Sequence, residues 1–226
     1  EASTQKSYQV VLTHEYKFDA WNRPFILTSE FYYKYLKDII PYEVDNIRIR
    51  YYADQKATGY ATGLDLRLNG EFVKGIESWA SLSLMKTAES IKYYLSPSGE
   101  ILSQTDINNG ETYISDTLIR GIPRPSDQRI NFSLFFQDYI PFIPSFKVNL
   151  KLVFGTGMPF GAPHTERYQQ KKRMSAYRRI DIGFSKQLIS EKTSFGSNNP
   201  LRFIRNSWIS LEVFNLLGIS NVSSYM

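Results

Sequence analysis

The 226-residue chain contains no cysteine and only two histidines, His14 and His164. Without thiols there is no disulfide framework and no thiolate metal site, and two imidazoles do not make a histidine-rich metal centre. Nowhere does the chain hold the run of about 18 apolar residues that a transmembrane helix requires, and its mean hydropathy is negative at -0.34. These absences leave transmembrane strands untouched, because strands carry their signal in alternation. A concentrated basic surface is missing too. The net charge is +5, the two signs are interspersed, and the one tight cluster, "QQKKRMSAYRR" from Gln169 to Arg179, reads as a basic loop running into a strand. Nucleic acid is therefore not an expected partner. No basic-then-apolar leader opens the chain, which is expected to be a mature product or an excised piece.

What the chain has in excess is aromatic: 15% of its residues, with 16 Tyr, 15 Phe and 3 Trp. Rings that are apolar at one end and wet at the other suit interfaces and membrane girdles. Many of them stand at the ends of alternating segments, as Tyr32, Tyr33, Tyr35, Tyr51, Tyr52, Tyr93, Tyr94 and Tyr139 do. High strand propensity accounts for aromatics in strands without any membrane.

Alternation runs through most of the chain. In "SYQVVLTHEYKF" Tyr8, Val10, Leu12, Tyr16 and Phe18 oppose Gln9, Thr13, Glu15 and Lys17. "FILTSEFYYKYL", "IRIRYYA", "ATGLDLRLNGEF", "ESWASLSLMK", "RINFSLFFQDY", "SFKVNLKLVFG", "YRRIDIGFSKQL" and "NSWISLEVF" repeat the pattern. A helix would spread alternate residues around its circumference, so period two predicts strands, about eight of them, and an all-β, antiparallel fold. Short links such as "DAWNRP", "NGEFVKG" and "YIPFIPS" predict hairpins. Residues 95–127 and 157–176 lose the periodicity and read as long loops.

Three architectures share this pattern: a membrane barrel, a soluble sandwich or barrel, and an extended surface or fibre domain. The clean segments run to about ten residues, which at a tilt near 45° rise roughly 24 Å, close to an outer-membrane apolar band. Their polar files mix Glu15, Lys17, Arg48, Arg50, Asp65, Arg67, Lys147, Lys151, Arg179, Asp181 and Glu212. Both signs together suit a wet or plugged lumen, and equally an ordinary solvated face.

Ser29 to Thr87 resembles the distal barrel of TonB-dependent outer-membrane receptors of the Bacteroidetes. "RPSDQRINFSLFFQDYIPFIPSFKVNLKLVFGTGMPFGAP", "YRRIDIGFSKQL" and "WISLEVFNLLGISNVSSYM" are similar to its closing strands in the same order. The resemblance implies an antiparallel transmembrane β-barrel segment, about eight strands of a 22-stranded cylinder, with residues 1–226 as the distal part and the plug and TonB box absent from the chain. It further implies the cell outer membrane as location, the lipid bilayer, the parent chain's plug domain and the TonB complex as partners, and a surface lipoprotein as another. The implied activity is import of a scarce nutrient: a siderophore, cobalamin, glycan or peptide. A structural or adhesion barrel without active transport is the alternative.

Under that topology the loops near 37–46, 95–127 and 157–176 face outward. Their ligand-facing candidates are Tyr113, Arg120, Arg124, His164, Arg167, Tyr168, Lys171, Lys172 and Arg173. Neither catalysis nor a cofactor is expected. His14 and Glu15 are strand neighbours that point to opposite faces, and no serine elbow or activated cysteine accompanies His164 and Glu166. "GTGMPFG" lacks the lysine and hydroxyl of a phosphate loop.

Overall fold

The structure, a computed structural model, describes residues 4–45, 48–140, 142–162, 165–191, 196, 199–201 and 203–222. In chain order its elements are β1 (Lys6–Ala20), β2 (Arg23–Ile39), β3 (Tyr42–Asp45), β4 (Arg48–Tyr51), β5 (Ala57–Val73), β6 (Ile76–Leu95), β7 (Ile101–Leu102), the one-turn helix α1 (Gln104–Asn108), β8 (Ser115–Pro123), β9 (Ile130–Ile140), β10 (Ile143–Gly155), β11 (Pro159–Phe160), a 3₁₀ turn over Arg167–Gln169, β12 (Lys172–Arg173), β13 (Tyr177–Ile189) and β14 (Ser207–Val213). The long strands form one antiparallel sheet in the order β1-β2-β5-β6-β9-β10-β13-β14, so each pairs with its neighbours along the chain. The fold is all-β and antiparallel, as the alternation predicts.

Two-residue turns close the β1-β2 and β5-β6 hairpins at one end of the sheet, where β9 and β10 also meet. Trp21 and Asn22 connect β1 to β2 with φ of 52° and 55°, the doubly positive geometry whose twist matches that of paired strands. Asn tolerates it, whereas Trp21 is held there against its preference and stands 74% exposed at the tip. Gly75, at φ 76°, supplies the same freedom between β5 and β6. Phe142 sits at the third tip, fully exposed. At this end the Phe25 ring lies over Gly70, where any side chain would collide with it.

Register brings the apolar file of each strand onto one face. Leu12, Phe31, Leu64, Leu84 and Ile130 line up across five strands. Tyr16, Leu27, Leu68, Ala80, Leu134, Leu152 and Ile180 form a second row, and Leu150 lies between Phe136 and Ile182 in a third. A slip of one residue in any strand would break these rows. The opposite face carries Thr13, Glu30, Asp65, Ser83 and Asn131 in one row and Glu15, Thr28, Arg67, Ser81 and Ser133 in the next. Some charges there are paired, Lys151 with Glu212 at 3.2 Å and Arg179 with Asp181 at 2.8 Å. Lys186, which interrupts the apolar file of β13, reaches the turn end and donates to Ser145 Oγ at 2.7 Å.

Among the described residues no second layer packs on either face; the two other sheets are the small hairpins β3-β4 and β11-β12. Large apolar side chains on the open face remain exposed, Val10 at 71% and Leu211 at 65%. The hydrophobic cluster proper lies at the long-loop end, where Leu36, Ile39, Ala57, Ile91, Tyr93 and Ile122 are buried together, with Ile119 and Tyr168 packed against them.

The structure corrects several expectations. "IRIRYYA" is not a wall strand: β4 has four residues and pairs only with β3, because alternation specifies a two-faced strand without saying which sheet receives it. Arg48 and Arg50 therefore leave the polar file of the wall, while Ile47 lies outside the described residues. Residues 95–127 are not one loop. They contain β7, α1 and β8, and β8 takes the place beside β6 that β9 vacates above Leu84. Finally, β2, β5 and β6 have 17, 17 and 20 residues, well beyond the clean segments of the sequence.

Candidate functional site

Beyond the end of β9, the upper halves of β5 and β6 rise into a crown built from residues 40–45, 48–56, 96–129, 156–162 and 165–176. Three bodies of chain with little regular structure must be held together there, and side-chain charge does it. Glu89, on β6 opposite Ile122 of β8, has no exposed side-chain surface. Arg167 Nη2 lies 3.0 Å from its Oε1, and Arg124 Nε lies 3.4 Å from its Oε2. Both guanidinium groups stand at ion-pair distance but off the line of a hydrogen bond, so Glu89 is compensated in charge without a directed bond. Burial pushes its carboxyl upward in pKa, and Arg167 and Arg124 oppose that shift. Arg167, 1% exposed, also donates to the Pro123 carbonyl.

A second knot centres on Asp127. Its carboxylate accepts from the Thr87 backbone N–H at 2.7 Å, from Arg129 Nε at 2.8 Å and from Arg173 Nη2, while Arg173 Nη1 donates to the Asp127 carbonyl at 2.7 Å. Asp127 is fully buried. Two carboxylates, each held by two arginines, thus tie β6, the link from β8 to β9, and the loop after β10 into one unit.

A third group surrounds Glu43 of β3. Tyr52 Oη donates to it at 2.8 Å, Gln170 Nε2 donates to the same oxygen, and Arg50 stands 3.6 Å away. Burial first, then the bond to Glu43, drives the Tyr52 hydroxyl upward in pKa. Glu166 is raised as well, by burial and by the nearby Asp106 and Glu43. Tyr93, buried beneath Tyr168 with ring centroids 5.0 Å apart, is raised chiefly by burial and next by Glu166.

Beside these knots a cleft of about 590 Å³ opens, lined by Asp54, Gln55, Lys56, Lys92, Gln104 and Asn108. The helical turn that presents Gln104 and Asn108 is fixed by a capping box: the Ser103 hydroxyl accepts from the Asp106 N–H, and the Asp106 carboxylate accepts from the Ser103 N–H at 2.7 Å. Tyr94 Oη donates to Gln104 Oε1 at 2.7 Å, and Gln104 Nε2 donates to Asn108 Oδ1 at 3.1 Å. Lys92 pairs with Asp116 at 2.7 Å, a bond that raises the lysine and lowers the aspartate.

The sequence candidates divide into two sets. Arg124, Arg167 and Arg173 are brought together, but as struts on buried carboxylates, and Tyr168 is packing for the core. Tyr113, Arg120, Lys171 and Lys172 stay on the surface, with Tyr113 50% exposed and its ring 4.8 Å from Tyr94. His164 lies outside the described residues. Glu89, Asp127 and Gln55 were not legible, because a buried polar residue is recognised by partners distant in the chain. The local hint at Glu89 is a carboxylate inside "TAESIKYYL", where alternation fails. Among the described residues no group of acidic or imidazole side chains is arranged to hold a metal ion. No protein-family model, curated protein or solved structure matches the chain.

Proposed function

We propose that this chain supplies wall and external vestibule to an outer-membrane β-barrel of the TonB-dependent receptor class, whose parent protein imports a scarce nutrient. The observation that supports this reading is the unlayered sheet: one apolar face, one charged face, short turns between β1 and β2, β5 and β6, and β9 and β10 at one end, where the link from β13 to β14 is longer, and long loops at the other. An apolar face of this size, left open, requires a solvent of its own kind. Hydrocarbon is that solvent, reached by segments such as 25–35 of β2, 60–70 of β5 and 146–154 of β10. Trp21, Phe142, Tyr139 and Trp208 sit at the turn end, where interfacial aromatics belong.

On this reading the charged face looks into the lumen and meets a plug. Glu15, Lys17, Asp65, Arg67, Lys151, Arg179, Asp181 and Glu212 offer ion pairs that can be exchanged when the plug moves, which a dry apolar seal does not. Among the described residues β1 and β14 each pair with one strand, and an unpaired edge in hydrocarbon is expensive. The reading therefore requires further strands, together with the plug and the segment that engages TonB.

The test is growth on limiting nutrients by cells with the parent gene intact, deleted, or stripped of its TonB-engaging segment. Loss of uptake of one nutrient in both mutants is the expected result. Equal uptake by all three strains across a broad nutrient panel overturns the transporter reading and leaves a structural or adhesion barrel.

A further inference from the structure

Along the wall strands, the charged side chains of the apolar face lie near its two ends. Arg23, Asp138 and Lys186 stand at the turn end. At the crown end stand Lys6, Lys37, Lys86 and Arg178, all basic and all exposed. None of these four has an ion-pair partner among the described residues, whereas Lys92, higher on β6, is paired with Asp116. Lys6 faces Lys37 directly across β1 and β2, and like charges directly opposite each other destabilise a strand pair. A shared counter-charge from outside the chain removes that cost.

The four positions follow one oblique line. Phe31, Leu84 and Ile130 share a level across the sheet. Lys37 stands six residues to the crown side of that level, Lys86 two residues to the crown side, and Arg178, level with Phe132 and Phe154, two residues to the turn side. The descent from Lys37 to Arg178, six residues and then two more, is eight residues across the five strand spacings from β2 to β13. Strands tilted near 45° make points of equal depth descend about 1.4 residues per strand, or about seven over five spacings. The crown-side ends of the ladders descend in the same sense, from the Lys6–Lys37 pair to the Gly155–Tyr177 pair one residue to the turn side of the Ile130 level. Tyr8, Tyr35 and Tyr60 share a row at this line, with the first two rings 6.5 Å apart, as interfacial aromatics do. From this we infer that the line is the crown-side boundary of the apolar band, and that Lys6, Lys37, Lys86 and Arg178 bind the head groups of anionic lipids there. Long basic side chains lay their apolar stems on the band and place their charges in the head-group layer. The inference rests on the membrane-wall reading and adds which lipids that wall selects.

The experiment uses the full-length protein in vesicles with a bimane on Ile130→Cys, an exposed position on β9 between Lys86 and Arg178. Quenching by phosphatidylcholine or phosphatidylglycerol brominated on the acyl chains gives the relative affinity of the two lipids at that place. A preference for phosphatidylglycerol of about fivefold is expected, the factor that one basic contact supplies. It should fall toward one in about 1 M salt and in the Lys86→Gln/Arg178→Gln variant. A bimane on Tyr8→Cys reads Lys6→Gln/Lys37→Gln in the same way. Lys171→Gln/Lys172→Gln, which removes two exposed loop charges, should keep the preference, as should replacing chloride by inorganic phosphate at equal ionic strength. Quenching by both lipids without preference, a preference that survives either wall variant at its own probe, or an equal loss in the loop variant overturns the inference and leaves the wall standing. Loss of the preference in phosphate alone identifies a site for a soluble anion and overturns it too. Quenching by neither lipid overturns the wall reading, and this inference with it.

Discussion

At Glu89 the chain places a carboxylate where no water reaches, and two arginines from separate loops come to meet it. Removing one partner of such a group leaves the other charges buried and uncompensated, which costs far more than the pair contributes. Glu89→Gln is therefore expected to destabilise the protein by about 3–5 kcal/mol in urea unfolding. Arg120→Ala, at an exposed position, should stay within about 0.5 kcal/mol of zero. Equal effects would show that the crown does not depend on this knot. Glu166 provides a pH-dependent counterpart. Its carboxyl is raised in the folded protein by burial, with Asp106 and Glu43 adding to the shift. The folded state thus takes up a proton at a pH where the unfolded chain has not, so stability from this group is present at low pH and lost as pH rises through the raised value. Glu166→Gln should accordingly have the higher Tm near neutral pH, with the gap to wild type closing as pH falls toward the ordinary carboxyl range of about 4–5. A gap independent of pH contradicts the assignment.

Among the elements, β10 offers the cleanest division between faces. Leu150 lies in an apolar row with Phe136 and Ile182, whereas Asn149 stands opposite Gln137 and Gly183 on the polar face. Leu150→Arg should cost roughly 2–4 kcal/mol near the bilayer midplane, and Asn149→Arg should be tolerated. Unfolding measurements in lipid vesicles check this, and a larger loss at 149 inverts the faces. Such faces were legible in the sequence because a strand between two different solvents must alternate. The upper halves of β5 and β6 were not, since above Leu84 the strand is covered by β8 on one edge and by loops on its surface, and both faces then accept mixed residues. β8 itself was hidden: Ile122 is buried and Ile119 packs on the core, but Gly121 and Pro123 mask the period. At the candidate site, Tyr113, Arg120, Lys171 and Lys172 are exposed. Arg124, Arg167 and the still exposed Arg173 reach buried carboxylates, which the sequence did not reveal because nothing local distinguishes an arginine that meets ligand from one that meets a buried carboxylate.

Across the whole molecule, stability is divided unevenly. Among the described residues the wall has backbone pairing and no internal core, while the crown has a small apolar cluster and two buried charge knots. A sheet of this kind is expected to depend on its surroundings for burial, and the proposed function makes these lipid on one face and water and plug on the other. The central claim is the orientation of the sheet relative to lipid. Its most direct test is a nitroxide scan of residues 146–154 in the parent protein reconstituted in vesicles, reading collision with oxygen, which partitions into hydrocarbon, against a water-soluble nickel chelate. Oxygen accessibility is expected to peak at Phe146, Val148, Leu150, Leu152 and Phe154 and nickel accessibility at Lys147, Asn149, Lys151 and Val153. Opposite phases would place the charged face against lipid, and high nickel accessibility at every position would place the sheet in water; either result contradicts the membrane-wall reading.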